Sequence, residues 1–190
     1  MTTEIRRPLD GMLVLDMGQI YNGPYAGLQL SFMGARVIKI EPPEGDVLRR
    51  RKRETEPYPL VMLNSNKESV VLDLKQPRAR EIFLALVAQA DVVIENFAAG
   101  VMDRLGLGYD VMKSIRPDII YIQQAGMGAH GKYGRMRTVG PVAAAFAGQA
   151  DMSGLPEPAM PVGWGYSYLD WMGAYGYALA LLGALYHRDK

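Results

Sequence analysis

Five short runs of branched and aliphatic residues, at 12–15, 37–40, 69–72, 91–94 and 119–122, recur along this chain with helix-like stretches between them. Each run is too short to be a buried helix and is bounded by turn-forming residues, so each reads as a strand. Residues 24–33 follow a Gly-Pro turn as a helix. Residues 77–90 place Ile82, Leu84, Leu86 and Val87 in a helical pattern with Pro77 near the first turn, and 109–115 reads as a shorter helix. Strands alternating with helices predict an α/β fold, a Rossmann-like parallel sheet with helices on both faces. Residues 41–59, rich in proline and charge, read as a long loop. Past the fifth strand, 141–149 and 171–186 read as Ala-rich helices separated by a Gly/Pro-rich segment. At 190 residues with 49% hydrophobic content, the chain can bury a core, and disorder is excluded.

In sheets of this kind ligands bind beyond the carboxyl ends of the strands. The loops there are 18–24, 41–46, 73–75, 95–100 and 126–134. Twenty-one basic against 20 acidic residues leave a net charge of +1, so nothing draws the whole chain toward nucleic acid or an anionic membrane, and an anion site must be local. Cysteine is absent, which excludes disulfides and thiolate chemistry and fits a cytoplasmic setting. Residues 1–11 are charged, unlike a secretory signal, and 171–186 is too studded with glycine and alanine for a membrane span. No metal site is expected from two histidines, His130 and His187, far apart in sequence.

Gly126-Met127-Gly128-Ala129-His130-Gly131 fits a dinucleotide glycine pattern and, with Lys132, nearly fits a phosphate loop. The context argues against both: Tyr133 stands where a magnesium-binding hydroxyl belongs, and no helix follows to aim its amino end at a phosphate. Arg49-Arg50-Arg51-Lys52-Arg53 reads as a solvated surface run, with a local anion site as the alternative.

Asp170 is the only Asp, Glu, Lys, Arg or His between Glu157 and His187. Followed by a helical run, it looks like an N-cap. The two roles can coexist: a lone carboxylate among aromatics at a helix start is also a candidate nucleophile toward an activated acyl group. The surrounding Trp164, Tyr166, Tyr168 and Trp171 suggest a larger acyl group, or packing of the helix start.

Several segments together carry a resemblance: Val14-Leu15-Asp16 with Gly23-Pro24; the run from Gly34 through Ile40 to Pro43; Asn66-Lys67 with Leu72-Asp73-Leu74-Lys75; Ala90 to Phe97; and Arg104-Leu105-Gly106-Leu107-Gly108-Tyr109. In order and spacing they resemble the family III coenzyme A transferases, the group of the formyl-CoA and carnitine CoA-transferases and α-methylacyl-CoA racemase. The resemblance implies Asp170 as the catalytic aspartate. It also implies a CoA site lined by Gln19, Ile20, Tyr21, Asn22, Leu72, Asp73, Leu74, Lys75, Asn96, Phe97, Ala98, Arg104 and Arg137. Pro42 stands where several members carry an arginine near the adenine.

Further expectations come with the resemblance. CoA would move between organic acids through an aspartyl anhydride and an aspartyl-CoA thioester, with an acyl-CoA donor, a carboxylic acid acceptor and no permanently bound cofactor. An interlocked homodimer, or a heteromer with a related chain, is implied. The racemase branch carries a histidine beside its aspartate where this chain has Thr138-Val139-Gly140, which favours transfer over racemisation. An acyl-CoA racemase or isomerase, or a non-catalytic subunit of a heteromeric transferase, are the alternatives. Gly140 also replaces an acidic residue of the formyl/oxalate enzymes, which argues against that substrate pair. Family members are roughly twice this long. Residues 1–190 therefore read as the amino-terminal part of the large CoA-binding domain, with the small domain and carboxyl-terminal part absent from this chain.

Overall fold

The structure, a computed structural model, describes residues 6–50 and 58–190. Its elements are β1 (Leu13–Asp16), α1 (Asn22–Phe32), β2 (Arg36–Glu41), α2 (Val47–Arg50), α3 (Tyr58–Asn64), β3 (Glu68–Val71), α4 (Pro77–Val87), β4 (Val92–Glu95), α5 (Val101–Arg104), α6 (Tyr109–Ile115), β5 (Ile120–Gln123), α7 (Gly140–Phe146), α8 (Gln149–Met152), β6 (Leu155–Pro156), β7 (Ala159–Met160) and α9 (Tyr168–Asp189). The first five strands form one sheet in the order β3-β2-β1-β4-β5, and every pairing in it is parallel. β6 and β7 form a separate antiparallel hairpin.

Alternation along the strands supplies two cores, as a pleated sheet requires. Leu15, Ile38, Ile40 and Val93 face Phe83 and Val87 of α4 and Met112 of α6. Val14, Val37, Val92 and Ile94 face Ala26 and Leu30 of α1 and Ala174, Tyr177, Leu181 and Leu185 of α9. Both faces are therefore covered, the arrangement that makes near-continuous apolar strands stable. α1 ends at Phe32 with Met33 as its C-cap, and Gly34 turns the chain at φ 110°, with the space where its Cβ would sit taken by Asp10. α4 opens on Pro77 behind an extended Gln76, as the sequence predicts.

Three expectations are corrected. The segment 41–59 is not one loop: α2 lies inside it and α3 begins at its end, the two packing Leu48, Leu60 and Leu63 into a small third cluster. Helix-length periodicity is not visible in a four-residue element, so α2 leaves no trace in the sequence. α1 starts at Asn22, earlier than Pro24, and α9 starts at Tyr168, earlier than Trp171. Residues 51–53 of the basic run lie outside the described residues, while Arg49 pairs with Glu41 at 2.9 Å. The outward side of α9 carries exposed Met172, Tyr175, Leu179 and Tyr186, and no described helix is long and apolar enough to cross a membrane.

Candidate active site

The strand order reverses its direction of growth between β1 and β4, so a crevice opens at their carboxyl ends. The loop after β1 is strapped there by side chains. Asp16 takes the Gly18 N–H at 2.8 Å and Lys39 donates to the Gly18 carbonyl at 2.7 Å. Asn96 accepts from the Gln19 N–H at 2.8 Å and donates to the Gln19 carbonyl at 2.9 Å. Asp46 accepts from the Ile20 N–H at 3.2 Å, holding Ile20 at φ 66°, a left-handed conformation that a β-branched residue rarely adopts. The Gly18, Gln19 and Ile20 amides are thus engaged inside the protein and are not free to meet a phosphate. Gly18 and Gly23 touch backbone to backbone, which brings Asn22 to the crevice.

Beneath the loop lies a buried ionic network. Lys67 meets Asp16 at 2.6 Å with the two side chains 1% and 0% exposed, and Lys39 meets Asp46 at 3.2 Å. Lys67 also donates to the Pro24 carbonyl and to Asn64. Burial pushes the Lys67 ammonium down, and the Asp16 carboxylate holds it up against that pressure. Such a pair is costly to desolvate and more costly to break.

Asp170 has a different setting. It is not the N-cap: Ser167 occupies that position, and Asp170 is the third residue of α9, within the positively polarised first turn. The N-cap expectation fails because Tyr168 and Leu169 already have helical backbone, which the aromatic sequence conceals. Burial pushes the Asp170 carboxyl above the usual carboxylate range, and the Ser167 hydroxyl and Gly140 N–H pull partly in the opposite direction. Among the described residues it makes no ion pair with Lys, Arg or His. Gly140 starts α7 directly against it, so a Cβ on Gly140 would overlap Asp170 Oδ2. The amide of Asn22 donates to the Asp170 carbonyl at 3.1 Å and ties α1 to the start of α9.

Three cavities meet around this crevice. Asp170 opens on a cleft of about 200 Å³ bordered by Asn22, Asn96, Gln124 and Thr138. An apolar cavity of about 140 Å³ lies between Ile40, Leu72 and Phe97, with Gln19, Pro42, Asp73, Leu74 and Lys75 around it. A larger groove of about 640 Å³ carries Ala98, Arg104, Arg135, Arg137 and His130. The structure thus gathers Gln19, Asn22, Leu72, Asp73, Leu74, Lys75, Asn96, Phe97, Ala98, Arg104, Arg137 and Asp170 onto one edge of the sheet. Ile20 and Tyr21 stand apart, packed against Leu48, Leu60 and Leu63 and lining none of the three cavities.

Consecutive residues Asn96, Phe97 and Ala98 reach into three different cavities. The turn that splays them is fixed by Glu95, which is wholly buried. Its carboxylate accepts from Tyr121 and Gln123 of β5 at 2.7 Å each and from the Phe97 N–H. Burial pushes Glu95 up, while these three donors oppose the shift. Across the sheet, Tyr177 of α9 bonds the Glu95 backbone through both its N–H and its carbonyl. The sequence alone does not single out Gln124 and Arg135, which line these cavities, or Glu95 and Tyr177, which fix the turn between them. Each lies in an ordinary strand, helix or loop, and only the acidic end of an otherwise apolar strand marks Glu95. The glycine pattern at 126–131 is followed by turns and no helix, and no histidine lines the Asp170 cleft among the described residues. No group of three or more His, Cys, Asp or Glu stands ready for a metal ion among the described residues.

The family described as CoA-transferase family III matches this chain over residues 9–190. The chain is 38% identical over 187 residues to the acetyl-CoA:oxalate CoA-transferase of Acetobacter aceti, covering 96% of this chain and 48% of that protein. It is 36% identical over 197 residues to the succinyl-CoA–L-malate CoA-transferase alpha subunit of Chloroflexus aurantiacus, covering 100% and 45%. A crystal structure of Rv3272 from Mycobacterium tuberculosis superposes with a TM-score of 0.90 at 36% identity, over 97% of this chain and 51% of that one. The chain spans about half the length of the curated relatives it matches.

Proposed function

This chain belongs to CoA-transferase family III, and from that premise we propose that it carries the CoA site and the nucleophile of an enzyme moving CoA between organic acids. One observation carries the reading: Asp170 is a half-buried carboxylate with no cationic partner among the described residues, set in a helix's first turn beside a cleft that neighbours a cationic groove. A carboxylate relieved of water and left unpaired is a better nucleophile than one held in an ion pair.

The three cavities suit the parts of a CoA thioester. The apolar cavity at Leu72 and Phe97 takes the adenine, and Arg104, Arg135 and Arg137 face its phosphates as a cluster of charge-assisted donors. The thioester end reaches the Asp170 cleft. Attack of an Asp170 oxygen on the thioester carbonyl expels CoA thiolate and leaves an aspartyl anhydride. The thiolate then attacks the aspartyl carbonyl, releasing the donor acid as its carboxylate and leaving an aspartyl-CoA thioester. An acceptor carboxylate reverses the two steps, and CoA departs on the new acid with Asp170 restored. Each step exchanges one acyl bond for another, so no redox equivalent or nucleotide is consumed.

The relatives include an oxalate transferase and the alpha subunit of a malate transferase, so a heteromer with a related chain stands beside a homodimer as the assembly. The mechanism is tested by mixing the native enzyme with an acyl-CoA and trapping with borohydride or hydroxylamine. Modification of Asp170, found by peptide mass, is expected; an unmodified Asp170 in an enzyme that is turning over would rule the mechanism out.

A further inference from the structure

The Asp170 carboxyl leans on the Ser167 hydroxyl and the Gly140 N–H, so its place beside the cleft depends on α9, the helix that carries it. In the core that α9 shares with α1, Tyr177 is the one buried residue, among those described, with a polar side-chain atom. Its hydroxyl accepts from the Glu95 N–H at 2.9 Å and turns its proton to the carbonyls of Glu95 and Ile122. Glu95 ends β4 and Ile122 comes just before the end of β5, so the hydroxyl is planted at the carboxyl edge of the sheet. Phenylalanine would fill the same apolar space; what the hydroxyl adds is a fixed depth for the helix. The Glu95 carboxylate meanwhile accepts from the Phe97 N–H, so one strand-end residue joins α9 to the turn that spreads Asn96, Phe97 and Ala98 into the cavities.

We propose that Tyr177 is a positioning residue, whose hydroxyl sets the height of Asp170 over the thioester end of the bound acyl-CoA. The inference rests on the proposed CoA transfer at Asp170. Asp170 and Tyr177 are two helical turns apart in sequence, so they lie on the same side of α9, about 10 Å from each other along its axis. Gly173 stands between them on that side, and the Asn22 and Gln124 amides pack against it: a Cβ there would overlap Asn22 Nδ2 and come within 2.8 Å of Gln124 Nε2. The same Asn22 amide holds the Asp170 carbonyl. The far end of α9 is fastened separately, by Arg188 to Asp91 at 3.3 Å, ahead of β4. Asp170 and the 96–98 turn are thus tied to Glu95 through different atoms, the backbone for the helix and the carboxylate for the turn. Freeing the Tyr177 hydroxyl therefore moves the nucleophile against the bound thioester while the turn keeps its grip, and a misplacement of about 1 Å costs about a hundredfold in rate.

Tyr177→Phe removes the hydroxyl and keeps the ring. Acylation of Asp170 is followed with saturating acetyl-CoA and succinyl-CoA by hydroxylamine trapping and peptide mass, and the Kd of unmodified CoA is measured by calorimetry. The saturated rate is expected to fall at least about tenfold while the Kd stays within about twofold. Arg188→Ala loosens the same helix at its far end and is expected to leave both quantities within about twofold of native. A Tyr177→Phe rate within about twofold of native overturns the proposal, and so does an equal slowing by Arg188→Ala, which would make the effect one of helix stability alone. A Kd that weakens as much as the rate falls overturns it too, since the hydroxyl would then serve the CoA site. Native enzyme labelled at Asp170 by neither donor overturns the CoA-transfer reading itself, a failure separate from any difference among variants. Should Tyr177→Phe not fold, Gly173→Ala, which displaces the Asn22 amide, is held to the same result.

Discussion

Asp16 and Asp170 are both removed from water near the same edge of the sheet, yet they are built in opposite ways. Asp16 is wholly buried, meets the Lys67 ammonium at 2.6 Å and caps the Gly18 N–H. Asp170 is half-buried, has no cation beside it among the described residues, and is left to the weaker help of a hydroxyl, an amide and a helix's first turn. The first arrangement neutralises a charge so that it can hold a loop. The second leaves a charge under-compensated, which is the setting the proposed nucleophile requires.

The sharpest way to break this contrast is to remove each carboxylate in turn. Asp170→Asn should lower kcat about 10³-fold or more, as expected when a covalent nucleophile is lost, while leaving the chain folded by circular dichroism. Asp16→Ala should do the reverse: it strands a buried ammonium and should cost about 3–5 kcal/mol in urea unfolding. Combining Asp16→Leu with Lys67→Met should recover much of that loss, since an apolar pair replaces an ionic one. If Asp16→Ala proves mild, the buried network is not what holds the β1–α1 loop.

A subtler probe is Gly140→Ala. The added methyl would overlap the Asp170 carboxylate and displace it, and a shift of that order near a reacting group should lower kcat about a hundredfold. Stopped-flow measurement of the acylation step would locate the loss.

Smaller still is the dependence of stability on pH. The Asp170 carboxyl is held above its ordinary value, so the folded state binds more protons than the unfolded one in the window that begins at the unfolded value and ends at the raised one. The stability it contributes is present below that window and is lost as pH rises through it. The melting temperature of Asp170→Asn should therefore gain on the native protein as pH rises from the ordinary carboxylate value, and the gap should become constant above the raised one. Activity should fade on the acid side at a higher pH than an unperturbed aspartate would give. At the bottom of the scale, Arg36→Ala removes the exposed pair with Glu68 and should leave the melting temperature unchanged within error.

How much was legible in advance differs between the two regions. The β1–α1–β2 unit could be read because each strand has a short branched apolar run and each turn its Gly or Pro, both local signals. The cavity-lining residues at 72–75 and 96–98 lie directly after β3 and β4, in loops where a parallel sheet places its ligands. Around Asp170 the local signal misled: an aspartate before an apolar run looks like a cap, and the true cap, Ser167, is hidden by aromatics that already belong to the helix. Ile20 and Tyr21 sit beside true lining residues in sequence, yet α2 and α3 draw them into a separate cluster. Nothing local in a four-residue helix announces that pull.

The sequence by itself determined the alternation of strands and helices, the apolar composition of both sheet faces and the presence of one isolated acidic residue near the start of the last helix. Those properties depend on neighbours within a few positions. Tertiary structure decided which charges are paired and which are not: Lys67 reaches Asp16 across 51 positions, and Gly140 meets Asp170 only because α7 and α9 dock. Ion pairing and desolvation depend on distances in space, so the chemistry of a carboxylate is settled by the residues folded against it rather than by those beside it in the chain.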